Sequence, residues 1–409
     1  MRILIVAQDL RISGTSEGIV SRSFITRLRE VYPSSYIEVN YLKNHSRNVK
    51  SELLSANAYK ETVINQKINW WTIFINRFYW RLTGISLKEL YLEKQYGKEL
   101  KKIKSSNFNV IFLRSSGTAY ELILGALEAP ELLRKSIINF HDPFPIFWDT
   151  GSNIRLDNLE LQRLKRMNRV VDLACKCITP SKLLSQDMEF LYGTNKRFHT
   201  LPHQFDLSSF NKPDFQNIRK KTKNISLSYH GAVQFKRNID ILIDAFIYLT
   251  EHDDFINDNV ELVLRLRGNH TKRLIEKYNS KKNVFILDTL SFIESYYEQK
   301  EQADVLIMLE NCSPHSNILP GKTPVIASLN KPVLAISPER SELRIILNDD
   351  SIADCNNFDE VKVKLKNKIE SLGKDNSIIN SFNKSFYSYN LSKELEFLLA
   401  DFQKDTCDE

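Results

Sequence analysis

The sequence has no apolar run approaching the roughly 18 residues needed to cross a bilayer, which argues against a membrane-spanning chain. Its opening, "MRILIVAQDL", is apolar for only a few residues before Gln8-Asp9, and no small-residue cleavage pattern follows. That stretch reads as a first buried strand rather than a secretory leader. Cysteine is sparse: Cys175, Cys177, Cys312, Cys355 and Cys407 are an odd number, spread thinly. Cys175-Lys176-Cys177 is also too close for the usual zinc spacing. The expectation is a reducing compartment without a disulfide framework. An internal repeat of fixed short period is missing too, as are the full three-glycine dinucleotide fingerprint and an Asp-x-Asp pair that would hold a metal.

What is present is length and alternation. The chain's 409 residues suit two domains of roughly 200 each, and 42% hydrophobic residues are enough to fill both interiors. Short apolar runs, "RILIVA" (2–7), "NVIFLR" (109–114), "SIINFHD" (136–142) and "CKCITPS" (175–181), read as buried strands in the first half. In the second half, "ISLSYHG" (225–231), "VELVLRLRG" (260–268), "NVFILD" (283–288), "ADVLIML" (303–309) and "KPVLAIS" (331–337) repeat the pattern. Amphipathic segments such as "NIDILIDAFIYLTE" (238–251) lie between them. Strand-helix alternation in two series predicts an α/β chain with two parallel-sheet domains. The polar stretch 200–224, with two prolines, reads as the linker. The spacing predicts a terminal helix within 381–404, with an Asn or Ser start near 390–392, for which the first domain is a packing partner.

The net charge of +7 is unevenly placed. Between Lys60 and Lys104 ten Lys/Arg face four Glu, giving +6 in that segment alone and pointing to an anionic partner there. Within it, "INWWTIFINRFYWRL" (68–82) is apolar on more than one helical face, so it reads as core, as a lid, or as an interfacial helix among lipid headgroups. A nucleic-acid reader motif is absent, and no nucleic-acid partner is expected.

Ligands of parallel sheets gather at the carboxyl ends of strands, so the loops there carry the candidate chemistry. Gly14, Thr15 and Ser16 precede a helix and offer backbone N–H groups to an anion or a sugar hydroxyl, or serve as an ordinary cap. His141 and Asp142 end a strand, the histidine being either a hydroxyl partner near neutral pH or a satisfied loop residue. Lys236 and Arg237 stand at the mouth of the helix that opens near Asn238. Two cations at a helix N-terminus run against the macrodipole unless a phosphate sits between them. In "NILPGKTPVIASLNKPVLAISPERSE" (317–342), Gly321 permits close backbone approach, Lys322 supplies charge and Thr323 a hydroxyl.

Taken in order, these pieces resemble the GT-B glycosyltransferases, particularly the retaining family-4-like group. The resemblance rests on 179–210, on "YHGAVQFKRNIDILIDAF" (229–246), on 283–309 and on 317–342. It implies two Rossmann-like domains facing a central cleft: an acceptor domain, 1–204, with the terminal helix 381–409 packed back on it, and a nucleotide-sugar donor domain, 205–380. It implies catalytic places for His141, Arg237 and Lys322. The donor would be held by Gly231, Lys236, Arg237, Gly268, Leu287, Asp288, Ser316, Gly321, Lys322 and Thr323, and the acceptor by Gly14, Thr15, Ser16 and Asp142. The sequence departs from the family pattern in three places. Ala232 stands where an arginine follows the glycine, and Val325 and Asn317 stand where an acid pair holds the donor ribose. Glu310, Glu339 and Glu342 are the alternative acids.

The implied activity is retaining sugar transfer from a nucleotide diphosphate sugar to a glycan or lipid-linked glycan in bacterial surface polysaccharide biosynthesis. No cofactor and no metal are implied. The setting would be cytoplasmic, at the inner face of the membrane, with peripheral contact through 60–104. The alternative is a degenerate GT-B protein that binds a glycan or partner without turnover.

Overall fold

A computed structural model describes residues 1–45, 49–145, 157–193, 196–211, 215–233, 237–268, 270–372, 381–387 and 389–404. The chain divides into two compact units. Met1–Phe210, Asn317–Gly321 and Asn390–Glu409 make the first, and Asn211–Ser316 with Lys322–Tyr389 the second.

The first unit is built on strands β1 (Arg2–Ala7), β2 (Tyr36–Lys43), β3 (Ala58–Val63), β4 (Val110–Arg114), β5 (Ser136–Asn139), β6 (Lys176–Thr179) and β7 (Phe198–Thr200). They lie in the order β3-β2-β1-β4-β5-β6-β7, every neighbouring pair parallel. Its main helices are α1 (Ser16–Val31), α2 (Trp70–Thr83), α3 (Leu87–Leu100), α4 (Asn158–Leu173) and α5 (Lys182–Tyr192). The second unit repeats the plan with β8 (Ile225–Ala232), β9 (Val260–Arg267), β10 (Val284–Asp288), β11 (Val305–Leu309), β12 (Val333–Ser337) and β13 (Ile352–Asp354). Their order is β10-β9-β8-β11-β12-β13, again all parallel. Its helices include α6 (Ile239–His252), α7 (Phe292–Gln302), α8 (Thr323–Ser328) and α9 (Phe358–Ser371).

The strands legible in the sequence are the central ones. β4, β11 and β12 are buried at every position, because helices cover both faces of a parallel sheet and leave no polar side. Four strands are not among those read from the sequence, β2, β3, β7 and β13, and of these β3, "AYKETV", lies at the sheet edge with no residue buried. Charged residues on an edge strand discourage further pairing, and they also erase the apolar run by which a strand is recognised.

Two expectations change. The terminal helix, α10 (Leu391–Lys404), starts within the expected 390–392, but residues 381–389, expected to pack back on the first domain with it, cluster with the second unit. α10 is fixed to the first unit by the Lys176 ammonium, which reaches the Leu398 carbonyl at 2.7 Å and the Asp401 carboxylate at 2.8 Å. Below them Leu395, Leu398, Leu399 and Phe402 are buried. The core reading of 68–82 is excluded: α2 has no buried residue at all.

Candidate functional site

In the first unit the carboxyl ends of β1, β4 and β5 gather a polar group. Asp9 follows β1 and is clamped by Arg11, with Nη2 to Oδ2 at 2.5 Å and Nε to Oδ1 at 3.0 Å. Burial opposes ionisation of Asp9, but the Arg11 bonds and the Thr15 hydroxyl outweigh it and hold the carboxyl below its usual range. Thr15 is the N-cap residue of α1, which starts at Ser16 itself rather than after it. The Ser16 hydroxyl donates to Glu17 Oε1 at 3.0 Å. Gly117, at φ 58°, sits in the loop after β4 and lacks the side chain that would collide there. A Cβ on it would lie 2.9 Å from Glu17 Oε1 and 3.2 Å from Asp142 Oδ2, so both carboxylates face one spot.

His141, 3% exposed, stacks on His203 with ring centroids 5.6 Å apart, and its Nε2 lies 3.4 Å from Arg114 Nη2. Burial, then Arg114, then His203 push its pKa well below the usual histidine value. It is therefore a neutral ring near pH 7, able to donate or accept one hydrogen bond but not to act as a cation. Arg114 is itself fully buried, held by Ser21 Oγ at 3.0 Å and lying over the Phe24 ring, and burial alone lowers its pKa to about 9.

In the second unit the carboxyl end of β8 gathers two cations. The Lys322 ammonium donates to the His230 carbonyl at 3.2 Å and lies 4.1 Å from the centroid of Tyr229. Gly231 makes this possible: a Cβ there would come within 2.8 Å of the Tyr229 hydroxyl and 3.5 Å of Lys322 Nζ. Burial, and then the nearby Arg237 guanidinium, lower the Lys322 pKa well below the ordinary lysine value. Arg237 bonds the Ala232 carbonyl at 2.9 Å, while its Nε is buried without a partner. Neither cation makes an ion pair with a carboxylate among the described residues. Asn238 caps α6, accepting from Ile241 N at 3.2 Å.

The remaining expected donor residues are dispersed. Lys236 lies outside the described residues. Asp288 ends the edge strand β10, where its carbonyl accepts from Arg265 Nη1 at 3.1 Å, and Leu287 precedes it. The Gly268 carbonyl accepts from the Thr271 hydroxyl at 3.1 Å. Ser316 spends its hydroxyl on Glu310 Oε1, 3.1 Å away. Thr323 is buried at the start of α8. Gly321 clusters with the first unit, beside Ser16.

Val325 is 4% exposed, an ordinary apolar core position of α8, and Asn317 donates to Asp187 Oδ2 at 2.7 Å inside the first unit. Of the alternative acids, Glu339 is exposed, Glu342 is buried in the first turn of a short helix, and Glu310 is buried at the end of β11. Burial raises the Glu310 pKa to about 7, against the hydroxyls of Ser337, Ser341 and Ser316.

Sequence reading missed Asp9, Glu17, Gly117, Arg114 and Tyr229. For Asp9, Arg114 and Tyr229 only a place at or near a strand end could have flagged them. Glu17 and Gly117 meet 100 residues apart in the chain, and a pair of that kind leaves no local pattern.

No family model matches this sequence, and no curated protein matches it. Solved structures do. Sucrose-phosphate synthase from Thermosynechococcus elongatus is similar with a TM-score of 0.62 at 12% identity, covering 99% of this chain and 100% of that one. Anabaena HepE, solved in complex with UDP and glucose, gives 0.60 at 11% identity, over 98% and 99%. The lipopolysaccharide outer core galactosyltransferase WaaB gives 0.57 at 14%, over 99% and 100%. The chain has the GT-B fold. Likeness at such low identity is one of architecture, and the GT-B fold fixes the two parallel sheets while leaving the loops at their carboxyl ends to each sequence.

Proposed function

We propose that this GT-B chain is a glycosyltransferase that moves a sugar from a nucleotide diphosphate sugar to a glycan or lipid-linked glycan acceptor, with retention, in bacterial surface polysaccharide biosynthesis. The observation that carries the reading is the pair Arg237 and Lys322. Both side chains meet the carboxyl end of β8 in the second unit, and neither has a carboxylate partner among the described residues. A half-buried cation without a counterion is costly, and a diphosphate would supply two anionic groups at once. The sugar donors of such reactions carry that group, and the HepE structure holds UDP.

In the reaction, the bond between the anomeric carbon and the diphosphate oxygen breaks and the acceptor oxygen takes its place. Arg237 and Lys322 would stabilise charge growing on the leaving diphosphate, the role a metal ion plays elsewhere, so neither metal nor cofactor is invoked. The carboxylates of Glu17 and Asp142, with neutral His141, suit an acceptor's hydroxyls, which need hydrogen-bond partners rather than charge. Gly14, Thr15 and Ser16 border that group. The work would take place in the cytoplasm at the inner face of the membrane, with peripheral contact through 60–104 and no nucleic-acid partner. Among the described residues no helix is long and apolar enough to cross a membrane.

A thermal-shift screen across common sugar nucleotides tests the reading, since a ligand that binds only the folded state raises its melting temperature. A shift abolished by Arg237→Ala and by Lys322→Ala is expected; unchanged donor binding in both variants would overturn it. A second reading, a GT-B protein that binds without turnover, is favoured by Val325 and Asn317 in place of the acid pair. Sugar transferred to an acceptor excludes it, and turnover without any acceptor would instead mark an epimerase.

A further inference from the structure

α2 leaves the sheet from the carboxyl end of edge strand β3 and packs on α3 and α4 along one narrow stripe. Thr72, Asn76 and Trp80, four apart, are its only half-buried positions. Asn76 fixes it by accepting from Leu87 N at 2.7 Å, and Gly84 ends it with an N–H bond to the Trp80 carbonyl at 2.9 Å. The opposite arc is apolar and exposed: Trp71 54%, Phe74 55%, Ile75 49%, Phe78 59% and Leu82 83%. Their spacing of i, i+3, i+4, i+7 and i+11 places all five on one face, the arrangement that ordinarily packs against a core. Among the described residues nothing covers it.

The rim of that face is of one sign. From Ile64 to Lys88 the chain has no Asp or Glu, while Lys67, Arg77, Arg81 and Lys88 bring +4. None of the four makes an ion pair among the described residues, in contrast to Lys101 and Lys102, which pair with Glu128 and Glu99. The unpaired rim charge discriminates between occupants. A second copy docking through α2 would set Arg77 and Arg81 against their own like, which costs free energy. An anionic lipid surface meets both needs, taking the apolar face into the headgroup and acyl boundary and pairing the arginines with phosphates. Tryptophan and tyrosine favour that depth, and α2 holds Trp70, Trp71, Trp80 and Tyr79.

We infer that α2 is a membrane-docking helix that lies in the plane of an anionic bilayer, immersing Trp71, Phe74, Ile75, Phe78 and Leu82 with Arg77 and Arg81 at the phosphates. This narrows the peripheral contact proposed for 60–104 to one helix face, and it rests on that part of the proposed function.

The test is flotation of the full chain with phosphatidylcholine vesicles, with and without phosphatidylglycerol, beside intrinsic tryptophan emission. The wild type is expected to float with the anionic vesicles only and to shift its emission to the blue. A Trp71→Ser, Phe74→Ser, Phe78→Ser triple variant should float at least about tenfold less. Arg77→Gln with Arg81→Gln should lose roughly fivefold per arginine, in a salt-dependent way. Absence of flotation, or flotation that the triple variant retains, overturns the inference. A dimer in light scattering that the triple variant abolishes overturns it too, because the face would then belong to a second copy. Melting temperature and donor-induced thermal shift on the same preparations separate the outcomes. An intact donor shift without flotation sinks the docking helix alone, and flotation without a donor shift sinks the glycosyltransferase reading alone.

Discussion

The two sheets of this chain are alike in architecture and opposite in what they hold at their carboxyl edges. The first unit brings carboxylates together, with Glu17 and Asp142 facing one spot beside Gly117, Asp9 clamped by Arg11, and His141 neutral. The second brings together Arg237 and Lys322, with Tyr229 beneath the ammonium. A parallel sheet with helices on both faces determines where a ligand can sit, at the strand ends. The loop residues determine its charge. A group rich in hydroxyls suits the first edge and a diphosphate suits the second.

The largest expected break in this contrast comes from the cations. Lys322→Ala should weaken nucleotide-sugar binding about 100-fold, the scale of one lost charge-assisted bond of roughly 2–3 kcal/mol, as read by calorimetry. The same substitution should leave the melting temperature of the empty protein unchanged or raised, because it removes a half-buried charge.

The two edges should also answer pH in opposite directions. His203, behind His141, has its pKa lowered from 6.5 to about 3 by burial and Arg114. The unfolded chain therefore binds the extra proton below pH 6.5, and the stability that His203 contributes is lost as the pH falls. Relative to His203→Asn, the wild type should lose about 2 kcal/mol between pH 7.5 and 5 in urea unfolding. Glu310 has its pKa raised from 4.5 to about 7. There the folded chain holds the extra proton, and stability is lost as the pH rises from 4.5 through 7. Relative to Glu310→Gln, the wild type should lose about 2 kcal/mol between pH 5 and 8. Equal pH dependence in wild type and variant would refute either assignment.

The smallest effect concerns the element that returns to the first unit. Lys176→Met removes the bond to the Leu398 carbonyl and the pair with Asp401, whose side chain is mostly exposed. The cost should stay near 1 kcal/mol or below, visible as faster hydrogen exchange over 391–404 rather than in global unfolding.

How much of this was legible in the sequence follows from how local each feature is. The central strands announce themselves because burial on both faces makes continuous apolar runs, as in "VLIML" of β11. β3 does not, because Lys60 and Glu61 on an edge strand erase the run. Arg237 and Lys322 were legible as cations at helix entrances, and Val325 as a missing acid, because each stands in a recognisable local frame. The Glu17, Gly117 and Asp142 group was not, since chain neighbours give no hint that residues 100 positions apart share one spot. The exposure of α2 was half legible. Its apolar positions on more than one face left core, lid and interfacial helix open, and only the fold shows which side is left uncovered.

The contact between Lys322 and the Tyr229 ring has a calorimetric consequence. In the empty protein the ammonium is held by one carbonyl and an aromatic face, with Arg237 repelling it, so a proton leaves it more readily than from ordinary lysine. A diphosphate would reverse that balance, and binding would draw a proton from the medium. The apparent binding enthalpy should then change with the ionisation heat of the buffer, and affinity should fall as the pH rises, both absent in Lys322→Met. The lysine would thus enter the binding equilibrium as a proton acceptor as well as a charge.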